Sequence, residues 1–234
     1  MEGRQDTMEQ PVEKKQTLPE TPRNDTRKTL LGLVLDCDGV LFDSKAANTA
    51  YYNYIRSAVQ LPPMSEEETS YSHMASTEEA LNHMIPGALR EEAGRVREKT
   101  RYRDTFMPMM QPAPYMVDFL QNAQKLGLPL ALCTNRSDSV YDVLDHFGIQ
   151  HFFSPVMTIT HVRPKPSPEG LCTIAAQWNV SPCSIAFLGD SLVDQQAAIA
   201  AGVPFWSYDN SELTADAHIP DFKKLDEFVK STLL

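Results

Sequence analysis

Two carboxylates stand two residues apart at the end of an apolar run, in Leu33-Val-Leu-Asp36-Cys-Asp38-Gly39-Val-Leu-Phe-Asp43-Ser44. Side chains alternate faces along a strand, so Asp36 and Asp38 share one side while Cys37 takes the other. Gly39 follows at once, freeing the backbone to turn sharply and to come close to a ligand. With no cation beside them in sequence, the two acids repel each other unless one binds a metal or carries a proton. That arrangement suits a reactive site; it also fits a solvated strand end or an ordinary turn. Three further polar signals follow apolar runs in the same way: Thr134-Asn135, Lys165 between Pro164 and Pro166, and Gly189-Asp190 with Asp194.

The elements that must carry these residues are legible as alternating patterns. Apolar runs at 30–35, 128–133, 155–159, 185–188 and 203–206 predict strands. Helical patterns at 113–126, 138–147 and 192–201 each end at a glycine, namely Gly127, Gly148 and Gly202. Strands alternating with helices predict an α/β fold, a Rossmann-like doubly wound parallel sheet covered on both faces. Such sheets bind ligands at the carboxyl ends of the strands, near the point where strand order reverses, and all four polar signals fall there. The stretch after Ser44 breaks the alternation. It holds helix-like patterns at 46–59, 78–84 and 89–102, interrupted by Pro62-Pro63 and Pro86-Gly87, with no strand. Residues 29–44 and 111–234 are therefore assigned to the core, and residues 45–110 to an inserted all-α unit.

Residues 1–28 are rich in Glu, Gln, Lys, Thr and Pro and read as a disordered N-terminal tail, too polar to offset its ordering entropy. The tail holds six basic and six acidic residues, so the net charge of −10 belongs entirely to residues 29–234. A domain this acidic is a poor match for nucleic-acid backbone. No apolar stretch has the length of a signal peptide core or a membrane span, and Cys37, Cys133, Cys172 and Cys183 lack metal-like spacing. They read as buried thiols in a reducing compartment, and the protein as cytoplasmic, with no membrane and no nucleic-acid partner.

In order and spacing, the four motifs resemble those of the haloacid dehalogenase-like superfamily, the aspartate-nucleophile phosphohydrolases, over about residues 30–206. The layout is similar to the phosphoglycolate phosphatase and β-phosphoglucomutase branch, whose small helical cap corresponds to 45–110. The resemblance implies that Asp36 attacks phosphorus to form an aspartyl-phosphate, an ionised carboxylate being suited to this and its acyl phosphate to hydrolysis. Asp38 would protonate the leaving group and later take a proton from water. Keeping the second aspartate favours phosphate over halide chemistry.

Thr134 and Asn135 would hold phosphate oxygens, although the same pair fits a helix cap before Arg136-Ser-Asp. Lys165, on its proline-stiffened loop before a helix N-cap at Ser167-Pro168-Glu169, would neutralise charge on the phosphoryl group; an ordinary surface lysine fits such a loop less well. Asp190 would complete a hard oxygen site for Mg²⁺ with the Asp36 carboxylate and the Asp38 carbonyl. Asp194, about one turn on, would ligate through water or orient Lys165, or serve only as a first-turn acid at a helix dipole. His73 and Ser76 align with the cap's substrate-specificity loop, where this chain lacks a frequent glycine. Tyr115 stands where many relatives have glycine and reads as a packing change. The implied partner is a small phosphorylated metabolite.

The cationic run Arg95, Arg97, Lys99, Arg101 and Arg103 reads as a solvated helix face, and the six histidines show no metal-binding pairing. A phosphomutase and a catalytically silent binding relative share these motifs as rivals to a phosphatase; the presence of both Asp36 and Asp38 argues against the silent one.

Overall fold

The structure, a computed structural model, describes residues 30–233; the tail at 1–28 lies outside them. The strand leading to Asp36 is β1 (Gly32–Leu35), followed by a two-residue strand β2 (Phe42–Asp43). Five helices come next: α1 (Lys45–Ala58), α2 (Glu66–Met74), α3 (Thr77–Met84), α4 (Arg90–Lys99) and α5 (Tyr102–Thr105). The chain re-enters the core through β3 (Gln111–Pro112), which pairs antiparallel with β2. This two-stranded neck, absent from the sequence reading, ties both ends of the helical insertion together.

The remaining chain alternates: α6 (Met116–Lys125), β4 (Leu130–Cys133), α7 (Ser139–His146), β5 (Phe153–Met157), α8 (Glu169–Trp178), β6 (Ile185–Gly189), α9 (Leu192–Ala201), β7 (Phe205–Tyr208), β8 (Ala217–Ile219) and α10 (Phe222–Leu233). The six strands form one parallel sheet in the order β5-β4-β1-β6-β7-β8. Strand order reverses between β1 and β6, so the residues just past these two strands face the crevice where doubly wound sheets bind ligands. The fold class read from the alternation is the one observed.

Burial on both faces explains the uninterrupted apolar strands. Leu33 and Leu35 face a core shared with Phe119, Leu120 and Phe222, while Val34 packs on the opposite side with Leu171, Ile174 and Ala197. The alternation continues past the strand end, with Cys37 buried in the first core and Asp36 on the other side. The insertion has its own core of Tyr51, Tyr52, Ile55, Ala80, Met84, Ile85 and Phe106.

Several local expectations are corrected. The strand expected at 155–159 is Phe153–Met157, because Phe153 supplies the buried side chain that pairs with Leu130. Pro155 is accommodated because β5 is an edge strand. Cys172 and Cys183 are exposed, unlike the buried Cys37 and Cys133; on α8 the inward face is occupied by Leu171, Ile174 and Ala175. Tyr115 is 58 % exposed and adopts a left-handed backbone, φ 62°. It therefore keeps the backbone conformation that glycine favours rather than filling a gap in the core. The loop lacking glycine after His73 needs none, since Ala75 (φ −83°) and Ser76 (φ −65°) are in ordinary extended conformations.

Candidate active site

The first functional side chain is set by the sheet itself. The Asp36 amide donates to the Leu188 carbonyl at 3.0 Å, continuing the β1–β6 ladder one residue past the strand and fixing its carboxylate over the crevice. A tight turn follows, in which the Gly39 N–H donates to the Phe42 carbonyl at 2.8 Å. Gly39 has φ +78°, and a Cβ there would fall 2.0 Å from Asp190 Oδ2, so only glycine allows this turn against Asp190. Gly189 is constrained likewise, since a Cβ on it would stand 2.5 Å from Asp194 Cβ. Two glycines thus allow the acids after β6 to close on Asp36.

The carboxylate oxygens of Asp36, Asp190 and Asp194 lie within 4.8 Å of one another. Lys165 enters from the loop after β5 and is the cation among them, with its ammonium 2.6 Å from Asp194 Oδ1 and 2.8 Å from Asp36 Oδ1. The Asp36 contact is an ion pair without hydrogen-bond alignment. Burial raises the Asp36 carboxyl to about 7, with Lys165 opposing and Asp194 reinforcing. Burial raises Asp190 to about 8, reinforced by Asp194 and Asp36. Burial pushes the Lys165 ammonium down, yet Asp194 and Asp36 more than offset this and hold it above the usual lysine range. Three acids around one ammonium leave negative charge uncompensated, and their hard oxygens are the donor set a divalent cation takes. The cluster therefore fits a metal site.

Asp194 is the third acid of the cluster. It is fully buried at the start of α9, where Oδ2 accepts from the Ser191 amide at 3.1 Å in a capping box, while Oδ1 holds Lys165. Both oxygens are engaged, so its geometry suits orienting Lys165. Replacing Lys165 with Met would leave Asp36 and Asp194 buried without their shared cation. We expect a loss of about 3 kcal/mol, measured as a lower urea midpoint in excess chelator; an unchanged midpoint would show that the acids do not depend on it.

The family model of the haloacid dehalogenase-like hydrolases matches residues 33–207, which include every one of these side chains. The chain belongs to the haloacid dehalogenase-like hydrolases. It is 28 % identical over 200 residues to the phosphoglycolate phosphatase of Escherichia coli K12, covering 74 % of this chain and 79 % of that one. The crystal structure of a HAD-superfamily hydrolase, subfamily IA, variant 1, from Geobacter sulfurreducens superposes with a TM-score of 0.74 at 32 % identity, covering 85 % of this chain and 99 % of that one. A haloacid dehalogenase-like hydrolase of Streptococcus pneumoniae shares the fold, with a TM-score of 0.73 at 16 % identity, covering 86 % and 98 % of the two chains.

The other positions expected in the site of this hydrolase fare differently. A cavity of about 240 Å³ between sheet and insertion is lined by Asp36, Asp38, Thr134, Asn135, Lys165 and His73. Asp38 stands outside the acid cluster: Arg136 donates from Nε to its Oδ2 and from Nη2 to its Oδ1, both at 2.6 Å, and the Ser44 hydroxyl donates to Oδ1. Burial raises the Asp38 carboxyl, but the Arg136 guanidinium outweighs this and holds it below its ordinary value. The repulsion expected between the two acids is thus relieved by a separate cation for each. Arg136 was not identified from the sequence; the available signal was its place directly after Thr134-Asn135.

Asn135 is committed to the scaffold. Its Nδ2 donates at 3.0 Å to the carbonyls of Met74 and Lys165, and its Oδ1 accepts from the Lys165 amide at 2.7 Å. The Thr134 hydroxyl accepts from the Arg136 amide at 3.1 Å in a local turn and remains on the cavity wall; it caps no helix, since α7 starts at Ser139 with Asp138 at its N-cap. Ser76 is not brought to the cavity: it is buried and caps α3, with its amide and hydroxyl both donating to Glu79. His73 does reach the cavity, and its Nε2 is buried without a hydrogen-bond partner among the described residues. Burial lowers the affinity of its ring for a proton, which Asp38 only partly restores.

The cationic run is exposed at all five positions, as its reading as a solvated face expects. Arg97 lines the cavity wall, and Arg103 reaches across to Asp142 and Asp145 on α7 at 2.9 and 3.0 Å, while Arg95 and Arg101 pair locally with Glu91 and Asp104. Among the described residues, no helix is long and apolar enough to cross a membrane.

Proposed function

We propose that this hydrolase is a Mg²⁺-dependent phosphatase that cleaves a small phosphorylated metabolite through an aspartyl-phosphate on Asp36, in the manner of the phosphoglycolate phosphatases it resembles. The observation that carries this reading is the convergence of Asp36, Lys165, Asp190 and Asp194 at the β1–β6 switch point, under a roof made by the helical insertion. Asp36 attacks phosphorus in line, with Lys165 offsetting charge on both nucleophile and phosphoryl oxygens. The dianionic substrate beside Asp38 pushes its carboxyl up against the pull of Arg136, so that Asp38 carries a proton to give to the departing oxygen and then takes one from the water that attacks the acyl phosphate. The Thr134 hydroxyl holds a phosphate oxygen, Gly39 lets the backbone approach, and His73 contacts the leaving group from above. Asp36, the Asp38 carbonyl and Asp190 would hold Mg²⁺, which would supply charge neutralisation at the phosphoryl group. Residues 45–110 act as the cap that excludes water and writes specificity. A protein that only binds phosphorylated ligands has no use for Asp38 beside Asp36.

A panel of phosphorylated metabolites, including phosphoglycolate and an aryl phosphate, tests this by phosphate release with and without Mg²⁺. Release from at least one monoester is expected, abolished by excess chelator and restored by added Mg²⁺, because one lysine cannot offset three acids and a dianion. Full activity in chelator would remove the metal from the mechanism, and no release from any monoester would remove the phosphatase.

A further inference from the structure

Arg136 lies just past β4, yet its guanidinium ends among groups from three parts of the chain. Beyond its two-pronged pair with Asp38, Nη2 donates to Asn48 Oδ1 on α1 at 3.4 Å and to the Tyr102 hydroxyl on α5 at 3.5 Å. The guanidinium carbon is 5.5 Å from the centre of the Tyr102 ring. The Tyr102 hydroxyl donates to Asn48 Oδ1 at 2.7 Å, Asn48 Nδ2 donates to Ser44 Oγ at 3.3 Å, and Ser44 donates to Asp38. The circuit is closed: two groups come from the core, two from the helical insertion, and Ser44 from the neck between them. The side chain of Arg136 is only 10 % exposed, whereas Arg103, which also bridges insertion and core, is 47 % exposed and screened by solvent.

We propose that Arg136 is a positioning residue for the proton-transfer group, clasping Asp38 so that its carboxylate is aligned only when the insertion is seated on the core. The proposal rests on the reading of Asp38 given above. The guanidinium fork is planar and matches both carboxylate oxygens, so it fixes the rotamer of Asp38 as well as its charge. Its remaining contacts are to Asn48 and Tyr102, so the same fork registers where α1 and α5 lie. An ammonium could keep the charge and could not hold both oxygens in that plane. Arg136 thereby links closure of the cavity to the readiness of Asp38, and it acts through Asp38 alone.

A double-mutant cycle of Arg136→Gln with Asp38→Asn tests this on an alkyl phosphate and on nitrophenyl phosphate, with Mg²⁺ present. Arg136→Gln is expected to lower kcat/KM for the alkyl phosphate by roughly 10-fold or more, and less for nitrophenyl phosphate, whose leaving group needs no proton. In the Asp38→Asn background the same change should add no more than about twofold, because its target is already gone. A merely structural arginine would slow both substrates and both backgrounds alike. Arg136→Lys, which keeps the charge, should show the same non-additivity with a smaller loss, and it replaces Arg136→Gln in the cycle if that variant does not fold. If Asp38→Asn retains a leaving-group-dependent loss while the Arg136 change is neutral, or multiplies with it, the proposal falls and the reading of Asp38 stands. If Asp38→Asn shows no leaving-group dependence, the reading of Asp38 fails and takes the proposal with it.

Discussion

Asp36→Asn is expected to lower turnover by roughly 10⁴-fold or more, to the same extent on alkyl and aryl phosphates. The amide keeps the size of the carboxylate and removes its nucleophilicity, so the first covalent step has no substitute. Asp38 cannot take over, because both of its oxygens are engaged by Arg136 and Ser44. Asp190 and Asp194 are held behind Asp36 by the turn after β6 and by the α9 cap. The variant also removes one of three clustered acids beside Lys165, so the loss should arise without a loss of folding. Phosphate release alongside thermal unfolding checks both halves of this expectation. Turnover within about tenfold of the parent in a folded variant would rule out Asp36 as nucleophile.

Asp38→Asn is expected to behave differently although the chemical change is the same. Removing proton transfer costs roughly 10² to 10⁴-fold on an alkyl phosphate. The loss in the first step should shrink for nitrophenyl phosphate, since a nitrophenolate leaves without a proton. Hydrolysis of the aspartyl-phosphate still requires a base for the attacking water, so the variant should accumulate phosphate on Asp36 when given the activated substrate. Mass spectrometry of quenched enzyme reads that adduct directly. Equal losses on both substrates, with no adduct in parent or variant, would exclude the division of labour between the two acids. The two acids stand in different surroundings: Asp36 shares Lys165 with the acid cluster, while Asp38 has its own guanidinium.

Much of the fold was legible because its signals are local. A strand buried on both faces must be apolar throughout, and helices between such strands must stop, which Gly127, Gly148 and Gly202 do with φ +68° each. Elements without such a signal were missed. The helix α2 has only Ser72 fully buried, so it presents no periodic apolar face, and β2 and β3 are two residues each. In contrast, α10 buries Phe222, Leu225 and Val229 at helical spacing, a periodic signal that the sequence does carry.

The sequence by itself determined the chemical inventory and its placement at strand ends: Asp36, Asp38, Thr134, Lys165, Asp190 and Asp194 each follow an apolar run, and a parallel sheet brings such positions to one edge. Only the tertiary structure decided who partners whom. Arg136 meets Asp38 across 98 residues of sequence, and Lys165 meets Asp194 across 29. The Asn135 side chain brackets the Lys165 loop from the cavity wall, and Ser76 caps a helix away from the cavity. These choices depend on side-chain direction and on which loops share a crevice. Residue type and spacing along the chain carry no information about either until the strands are ordered and the insertion is seated.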